Sequence, residues 1–512
     1  MINMKNILKY ILLAGVAVAF SSCTLDLFPK KSIVYNEDEP IIQKESDLTS
    51  FEVGIVNNFR ATQSGGYYSL DDVMCDAFNA TVDFGNRRGS VHRTDASFTA
   101  GDSDIQSIWG NWYIVIKNYN IAIAAANSIE DEGLKEKAKT MLGEAYFFRA
   151  FTYLNLARHF GVPYSEATAD KDLCVPLILV YNQNERPARA TVKQVYDQIK
   201  ADLDSAAELL ADVPGAVRAQ RPTIDAVKAL YARYYIDIKN NEKAAEYAME
   251  LIKSGTYTLS STAAEMRSEF VSDTGNEPIM QMYASQQEVP ASLALYTNIS
   301  DHDGRTYAPD FLPSQKLLDT YDDSDLRRIS WFKKSGSASY PIYMSGTKHN
   351  NEAVVVFTKF EGNPAYVTTG VPSGNNAVKP FRISEMYLIA AEAYAASGDT
   401  PNATLVLNEL QGKRGAELSG TATMAAVQQE WFKETVGEGM RTICLKRWNQ
   451  GFTARTAQPA AIAENLLNTG EYYNQRKMEA GDYHLVWPIP NYELKINNNL
   501  VQNKGYSVVE GY

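Results

Sequence analysis

Cysteine and histidine are scarce in this 512-residue sequence. The four cysteines, at 23, 75, 174 and 444, include no Cys-x-x-Cys spacing, so no zinc site can be read from them. The five histidines, at 92, 159, 302, 349 and 484, form no His-Glu-x-x-His and no close pair, so no metal is expected. A Gly-x-Ser-x-Gly elbow, a Walker A loop and a dinucleotide fingerprint are also missing, so no cofactor is expected. Basic clusters are nearly absent. Arg87-Arg88 and Arg327-Arg328 both have acidic neighbours, and the net charge is −12. Nucleic acid and anionic membranes need clustered Lys and Arg, so neither is an expected partner.

No apolar run reaches the roughly 20 residues that cross a bilayer. The longest, Ile11 to Phe20, follows Lys5 and Lys9 and leads through Ser21-Ser22 to Cys23. A basic start, a short apolar segment and small residues before a cut describe an export signal over residues 1–22. A cysteine at the cut is the acylation site of a lipoprotein, although Phe20 stands where Leu or Val is usual. Two or more acyl chains make a stable anchor. With Cys23 lipidated, the other three cysteines cannot all pair, and buried free thiols are expected. Residues 23–48 read as a lipidated tether and 49–512 as a single body.

What is abundant is tyrosine, 31 against 19 Phe and 6 Trp. Its flat apolar ring and hydroxyl suit half-wet packing and polar ligands. Helical periodicity occupies three blocks, 107–160, 191–254 and 383–415, with a further helix at about 424–438. GEAYFFRAFTYLNLARHFG (143–161) is apolar on nearly every side, which predicts a helix buried all round. Thr191 is the predicted N-cap of the next helix. The second and third blocks superpose Tyr235 on Tyr394, Asn240 on Asp399 and Ala244 on Ala403. A Tyr followed by an Ala nine residues later across a polar turn is tetratricopeptide-like spacing, where a ring packs beside a small residue at a helix crossing. The fold class is therefore mainly α: helix pairs forming a scaffold. Three loop-rich regions, about 61–106, 256–380 and 448–512, are too long to be mere connectors and form the candidate ligand-binding face.

No nucleophile stands beside a base. Asp301-His302-Asp303-Gly304 reads as a turn and Gly437-Glu438-Gly439 as a helix C-cap. Asp322 to Arg328 reads as a solvated, self-neutralising turn. What remains is recognition by rings and hydrogen-bonding groups in the loops. The candidate contacts are Tyr67, Tyr68, Phe84, Asn86, Arg87, Arg88, Tyr296, Tyr307, Trp331, Tyr340 and Tyr343. Trp109 and Trp112, at the start of a helical block, are expected in the core.

Taken together, several segments resemble the RagB/SusD family of Bacteroidetes outer-membrane lipoproteins. They are CTLDLFP from Cys23, Ile108-Trp109 with Tyr113 and Asn120, residues 143–161 with Val175-Pro176, and TVKQVYDQIKADLDSAAELL (191–210). Further on come the Ala226 to Ala248 helix pair, Tyr321 with Asp325 and Arg327-Arg328, FRISEMYLIAAEAYAASGD (381–399), Gly437-Glu438-Gly439-Met440-Arg441 with Arg447-Trp448, and WPIPNYELKINNNLVQNKGY (487–506). They run in family order over essentially the whole mature chain. The resemblance implies a SusD-like fold without catalytic activity, anchored in the outer membrane facing the exterior. It also implies a partner, a SusC-like TonB-dependent transporter, to which oligomeric nutrients are delivered. Glycan oligosaccharides are the favoured ligand. GDTPNA (398–403) and Lys413 to Glu417 are similar to the RagB branch, which handles oligopeptides.

Overall fold

The computed structural model describes residues 41–299, 306–334, 342–344, 346–349, 354–368 and 371–507. Cys23, Tyr340 and Asp301 to Gly304 lie outside them. Eleven described helices have nine residues or more: α1 (Glu45–Ala61), α2 (Gly66–Met74), α3 (Ser103–Asn127), α4 (Glu132–Phe160), α5 (Val192–Leu209), α6 (Ile224–Asp237), α7 (Asn241–Lys253), α8 (Ala263–Val271), α9 (Ile383–Ala396), α10 (Thr400–Lys413) and α11 (Met424–Glu434). None of the described helices is long and apolar enough to cross a membrane.

Caps explain most of the starts. Asp102 accepts from the amides of Asp104 and Ile105 ahead of α3, and Asp131 from Leu134 ahead of α4. Thr191 forms a capping box with Gln194 at α5, where the sequence placed its cap. Such caps satisfy amides that a helix leaves without partners. The first helical block is two helices, because Ser128 to Asp131 interrupts it.

α4 is the central pillar, buried on nearly every side from Gly143 onward and packed against α1, α3 and α5. Gly143 permits the approach to α5: a Cβ there would lie 2.8 Å from Leu210 Cγ. The two tetratricopeptide-like pairs, α6–α7 and α9–α10, stack on each other through α7 and α9. Ala244 and Ala403 are fully buried at their crossings. In the first pair the rings of Tyr235 and Tyr247 stack at 5.7 Å. Buried ion pairs staple the layers together: Arg149 to Asp202 joins α4 to α5 (2.7 and 2.8 Å), Arg158 to Asp237 joins α4 to α6 (2.5 Å), and Arg233 to Glu385 joins α6 to α9 (2.6 Å).

The strands are short and pair antiparallel two by two: β1 (Phe78–Ala80) with β3 (Phe311–Pro313), β2 (Pro278–Met280) with β8 (Phe381–Arg382), β4 (Phe332–Lys334) with β7 (Val355–Phe357), and β5 (Ile342–Met344) with β6 (Thr347–His349). A small second core around Leu312, Ile342, Val356 and Leu466 supports these loops.

Several expectations change. Residues ahead of 49 also pack into the body: Ile42 and Leu48 are buried and α1 begins at Glu45. Region 61–106 carries α2 as well as loops. Cys75, Cys174 and Cys444 are free and buried as expected, and Trp109 and Trp112 lie in the core. The turn at 322–328 is not wholly solvated. Arg328 and Asp323 pair on the surface, but Arg327 has none of its surface exposed.

Arg327 instead enters a buried ionic cluster centred on Glu434 at the end of α11. Glu434 accepts from Arg414 (2.7 and 3.0 Å), Arg327 (2.9 Å) and Arg382 (3.2 Å). Glu277 accepts from Arg382 and Arg414 at 3.2 and 3.0 Å. Burial alone would raise the Glu434 pKa, but Arg414 and Arg382 hold it well below the usual carboxylate range. Removing one partner of such a cluster leaves buried charges uncompensated. Glu434→Gln is therefore expected to destabilise the protein by about 3–5 kcal/mol, read as a lower urea midpoint at pH 7. An unchanged midpoint would refute the central role of this carboxylate.

Candidate functional site

The loop between β1 and α3 is held in an uncommon conformation. Asn86, Arg88 and Thr94 all have positive φ (57°, 56° and 45°), and Gly85 precedes them at 58°. Left-handed backbone costs a non-glycine residue energy and persists only where the surroundings enforce it, commonly at binding sites. The enforcing contacts are visible. Asn86 Oδ1 accepts from Arg93 at 2.7 Å, and Gly89 leaves room for that side chain. Arg88 is ion-paired to Asp104 and packs over Gly66, where a Cβ would lie 3.2 Å from its Nη2. The result presents Asn86 and Arg87 to solvent, with the Arg87 side chain 54% exposed.

Arg87 is anchored by Asp310, 2.7 Å away. Burial pushes the Asp310 carboxyl up to about 6, and Arg87 opposes the rise. Asp310 is tied on both sides, its carbonyl accepting from Thr81 N (2.8 Å) and its amide donating to Leu295 O (2.9 Å). Three residues earlier, Tyr307 O accepts from Tyr343 N at 2.8 Å. Tyr343 is 45% exposed on β5. Arg88 thus meets α2 at Gly66, Arg87 meets Asp310, and the backbone of Tyr343 pairs with Tyr307 in the segment that leads to Asp310.

Tyr67 and Tyr68 open α2. Tyr67 lies against Trp112 (5.8 Å between ring centroids), and Tyr68 donates to Lys379 O at 3.3 Å. Two adjoining clefts of about 430 and 370 Å³ share Gln63, Tyr68 and Glu438. Burial raises the pKa of both hydroxyls, which stay protonated. Gly439 (φ 72°) makes this floor possible, since a Cβ there would lie 3.0 Å from Tyr68 O.

Four other candidates are packing residues. Tyr296 is fully buried, its ring 4.6 Å from Phe78 and 5.2 Å from Phe357. Trp331 is buried under Lys359, whose Nζ lies 4.0 Å from its ring centroid. Phe84 is buried edge-on against Phe311. Tyr307 is buried, and its hydroxyl is engaged by Glu361 and Lys333. In each case apolar burial outweighs availability to ligand.

Sequence reasoning missed two contributors. Tyr472, 40% exposed, stands on a loop whose next residue, Tyr473, packs against Phe84 and His92. The Tyr472-Tyr473 doublet repeats the Tyr67-Tyr68 pattern in a region already expected to be loop-rich, and that was the available signal. Arg455 carried no signal. It is fully buried and donates to the carbonyls of Met74 and Cys75 at the end of α2 (both 2.6 Å), to His92 O, and to Tyr472 and Tyr473 O (3.3 and 3.4 Å). A helix C-terminus carries partial negative charge, so the guanidinium is held without a carboxylate. Burial still lowers its pKa to about 9. Burial, with Arg455 adding to it, keeps His92 neutral.

Residues 25–236 match a SusD-like family model described as starch-binding associating with outer membrane, and residues 232–506 match the SusD family model. SusD-like protein P2 of Formosa agariphila is 26% identical over 459 residues, covering 83% of this chain and 86% of that protein. A SusD superfamily structure from Bacteroides thetaiotaomicron superposes with TM-score 0.72 at 24% identity, over 89% of this chain and 99% of that one. A SusD-like carbohydrate-binding protein from Bacteroides vulgatus gives TM-score 0.73 at 20% identity, over 92% and 100%.

Two predictions follow from the anchors of the turn. Lysine cannot serve five carbonyls, so Arg455→Lys should cost about 1–3 kcal/mol and speed hydrogen exchange in residues 86–94 and 470–476. Unchanged exchange in both segments would contradict its bridging role. Asp310, with its pKa raised, adds stability in acid that is lost as pH rises through about 6. Asp310→Asn should remove this component, so the wild-type advantage in urea midpoint over the variant should be larger at pH 4.5 than at pH 7. An equal difference at both pH values would contradict the assignment.

Proposed function

The chain belongs to the SusD family, and on that premise we propose that it is a lipid-anchored outer-membrane protein, facing the exterior, that captures glycan oligosaccharides for a SusC-like TonB-dependent transporter. SusD-like proteins bind carbohydrate and are not enzymes. The observation that carries the reading is the left-handed turn that holds Asn86 and Arg87 outward, with Arg87 anchored on Asp310. Rings that take sugar faces, flanked by fixed amide and guanidinium donors for hydroxyls, are the components of a polar-oligomer site. Anchoring through Cys23 and the transporter partner come from the leader sequence and the family.

Oligopeptide capture is the second reading, favoured by the RagB-like GDTPNA segment. That segment is the turn between α9 and α10, where Asp399 caps α10 and Gly398 takes φ 78°. Its residues serve the scaffold, so they speak to ancestry more than to ligand.

Calorimetry of the processed protein against neutral oligosaccharides and short peptides separates the two. Saturable glycan binding is expected, and Tyr67→Ala, Arg87→Ala and Tyr343→Ala should each weaken it by about 1 kcal/mol, roughly fivefold. Binding of peptides only would replace the glycan reading with the second one. Glycan binding indifferent to all three substitutions would move the site elsewhere. Cys23→Ala should release the protein from the membrane fraction with its binding intact.

A further inference from the structure

Two further cavities, lined by none of the residues of the turn, adjoin each other across Val162, Pro163 and Lys446. One is about 330 Å³ and reaches Arg158, Lys239 and Arg447; the other is about 710 Å³ and reaches Asn449, Tyr483 and Lys504. In a protein of net charge −12 their charge is reversed. Five cations line them against two carboxylates, Asp237 and Asp482.

The carboxylates are already committed. Asp237 accepts from Arg158 (2.5 Å) and Arg447 (3.4 Å), and Arg447 is paired with Glu392 as well. Asp482 accepts from both the ring and the amide of His484, at 2.6 and 3.0 Å. Three lysines therefore have no carboxylate. Lys239 and Lys504 are exposed, and neither is in an ion pair among the described residues. Lys446 is 7% exposed, and its ammonium donates to two carbonyls at the end of α4, Arg158 O and Gly161 O. An ammonium has three protons to donate, and these two carbonyls take two of them.

Helix ends do not cancel this excess. α4, α6 and the helix Arg441–Trp448 terminate around the cleft, and each C-terminus supplies roughly half a negative charge. Three lysines outweigh three half-charges. Beside Asn449 and Asn503, the wall includes apolar surface from Val162, Pro163, Leu485 and the Tyr483 ring, which is 41% exposed.

We propose that these joined cavities form a second binding site, for a small carboxylate whose anion is taken by Lys446, Lys239 and Lys504 and whose body lies along Tyr483 and the Val162–Pro163 wall. Such a carboxylate can come from an acidic sugar or from the C-terminus of a short peptide. The site does not depend on the neutral-glycan reading of the turn.

Calorimetry and ligand-observed NMR with D-glucuronate and N-acetyl-Ala-Ala, beside glucose and N-acetyl-Ala-Ala-amide as neutral counterparts, test it on the processed full chain. At least one acid is expected to saturate, while its neutral counterpart does not. The double variant Lys239→Gln/Lys504→Gln changes only exposed side chains and should weaken that acid about tenfold. Tyr483→Ala should weaken it several-fold, and Tyr67→Ala should leave it unchanged. Saturation by glucuronate alone assigns an acidic sugar, and by the dipeptide alone a peptide terminus. No saturation by either acid, equal binding of the neutral partners, or an affinity indifferent to the double variant would overturn the proposal. Loss of acid binding in Tyr67→Ala would instead mean that the acid occupies the turn.

Discussion

One carboxylate holds the loop-bearing part of this protein in register. Glu434 has none of its surface exposed and is shared by Arg327, Arg382 and Arg414, which arrive from three different stretches of chain. Buried charges are tolerated only when every partner is in place, because desolvation costs several kcal/mol per ion. The cluster therefore specifies one arrangement of the helix after Asp325, the start of α9, the end of α10 and the end of α11. Hydrophobic burial drives the collapse of these elements, but it does not distinguish between neighbouring registers as sharply as an unpaired guanidinium does.

The same constraint reaches the candidate site. Arg382 also bonds Glu438 at 2.6 Å, and Glu438 lines both clefts beside Tyr68. The glycines flanking Glu438 take φ 79° and 72° and let this turn press against Tyr68 backbone and against Phe357 and Phe360. A second hub, Arg455, ties α2, the short helix Gly89–Arg93 and the Tyr472 loop together as Glu434 ties the scaffold, here one guanidinium donating to several carbonyls. Binding groups on irregular loops are useful only if those loops are stiff. Here the stiffness comes from buried polar hubs, since β1 and β3 are only three residues long.

Much of the scaffold is legible in local sequence. The all-apolar stretch 143–161, the cap at Thr191 and the Tyr–Ala spacing around residues 235–244 and 394–403 are local patterns, and local patterns survive into the fold. The buried state of Trp109 and Trp112 followed from helical context. The site was only partly legible. Asn86, Arg87 and Tyr343 are presented outward, whereas Tyr296 and Trp331, equally aromatic and equally set in loop-rich sequence, are enclosed by Phe78, Phe270, Phe357 and Lys359. Arg327 and Arg328 are adjacent in sequence, yet one is buried in the ionic cluster and the other pairs with Asp323 at the surface.

By itself the sequence determined the helical class and the paired-helix repeat, and its ordered run of motifs carried the resemblance to the family. Class and repeat depend on periodicity and spacing, which are properties of neighbours along the chain. Only the tertiary structure decided which rings face water, which carboxylates share an arginine, and where unpaired lysines gather beside a cavity. Such outcomes depend on residues that are tens to hundreds of positions apart, and their exposure and charge are set by what packs over them.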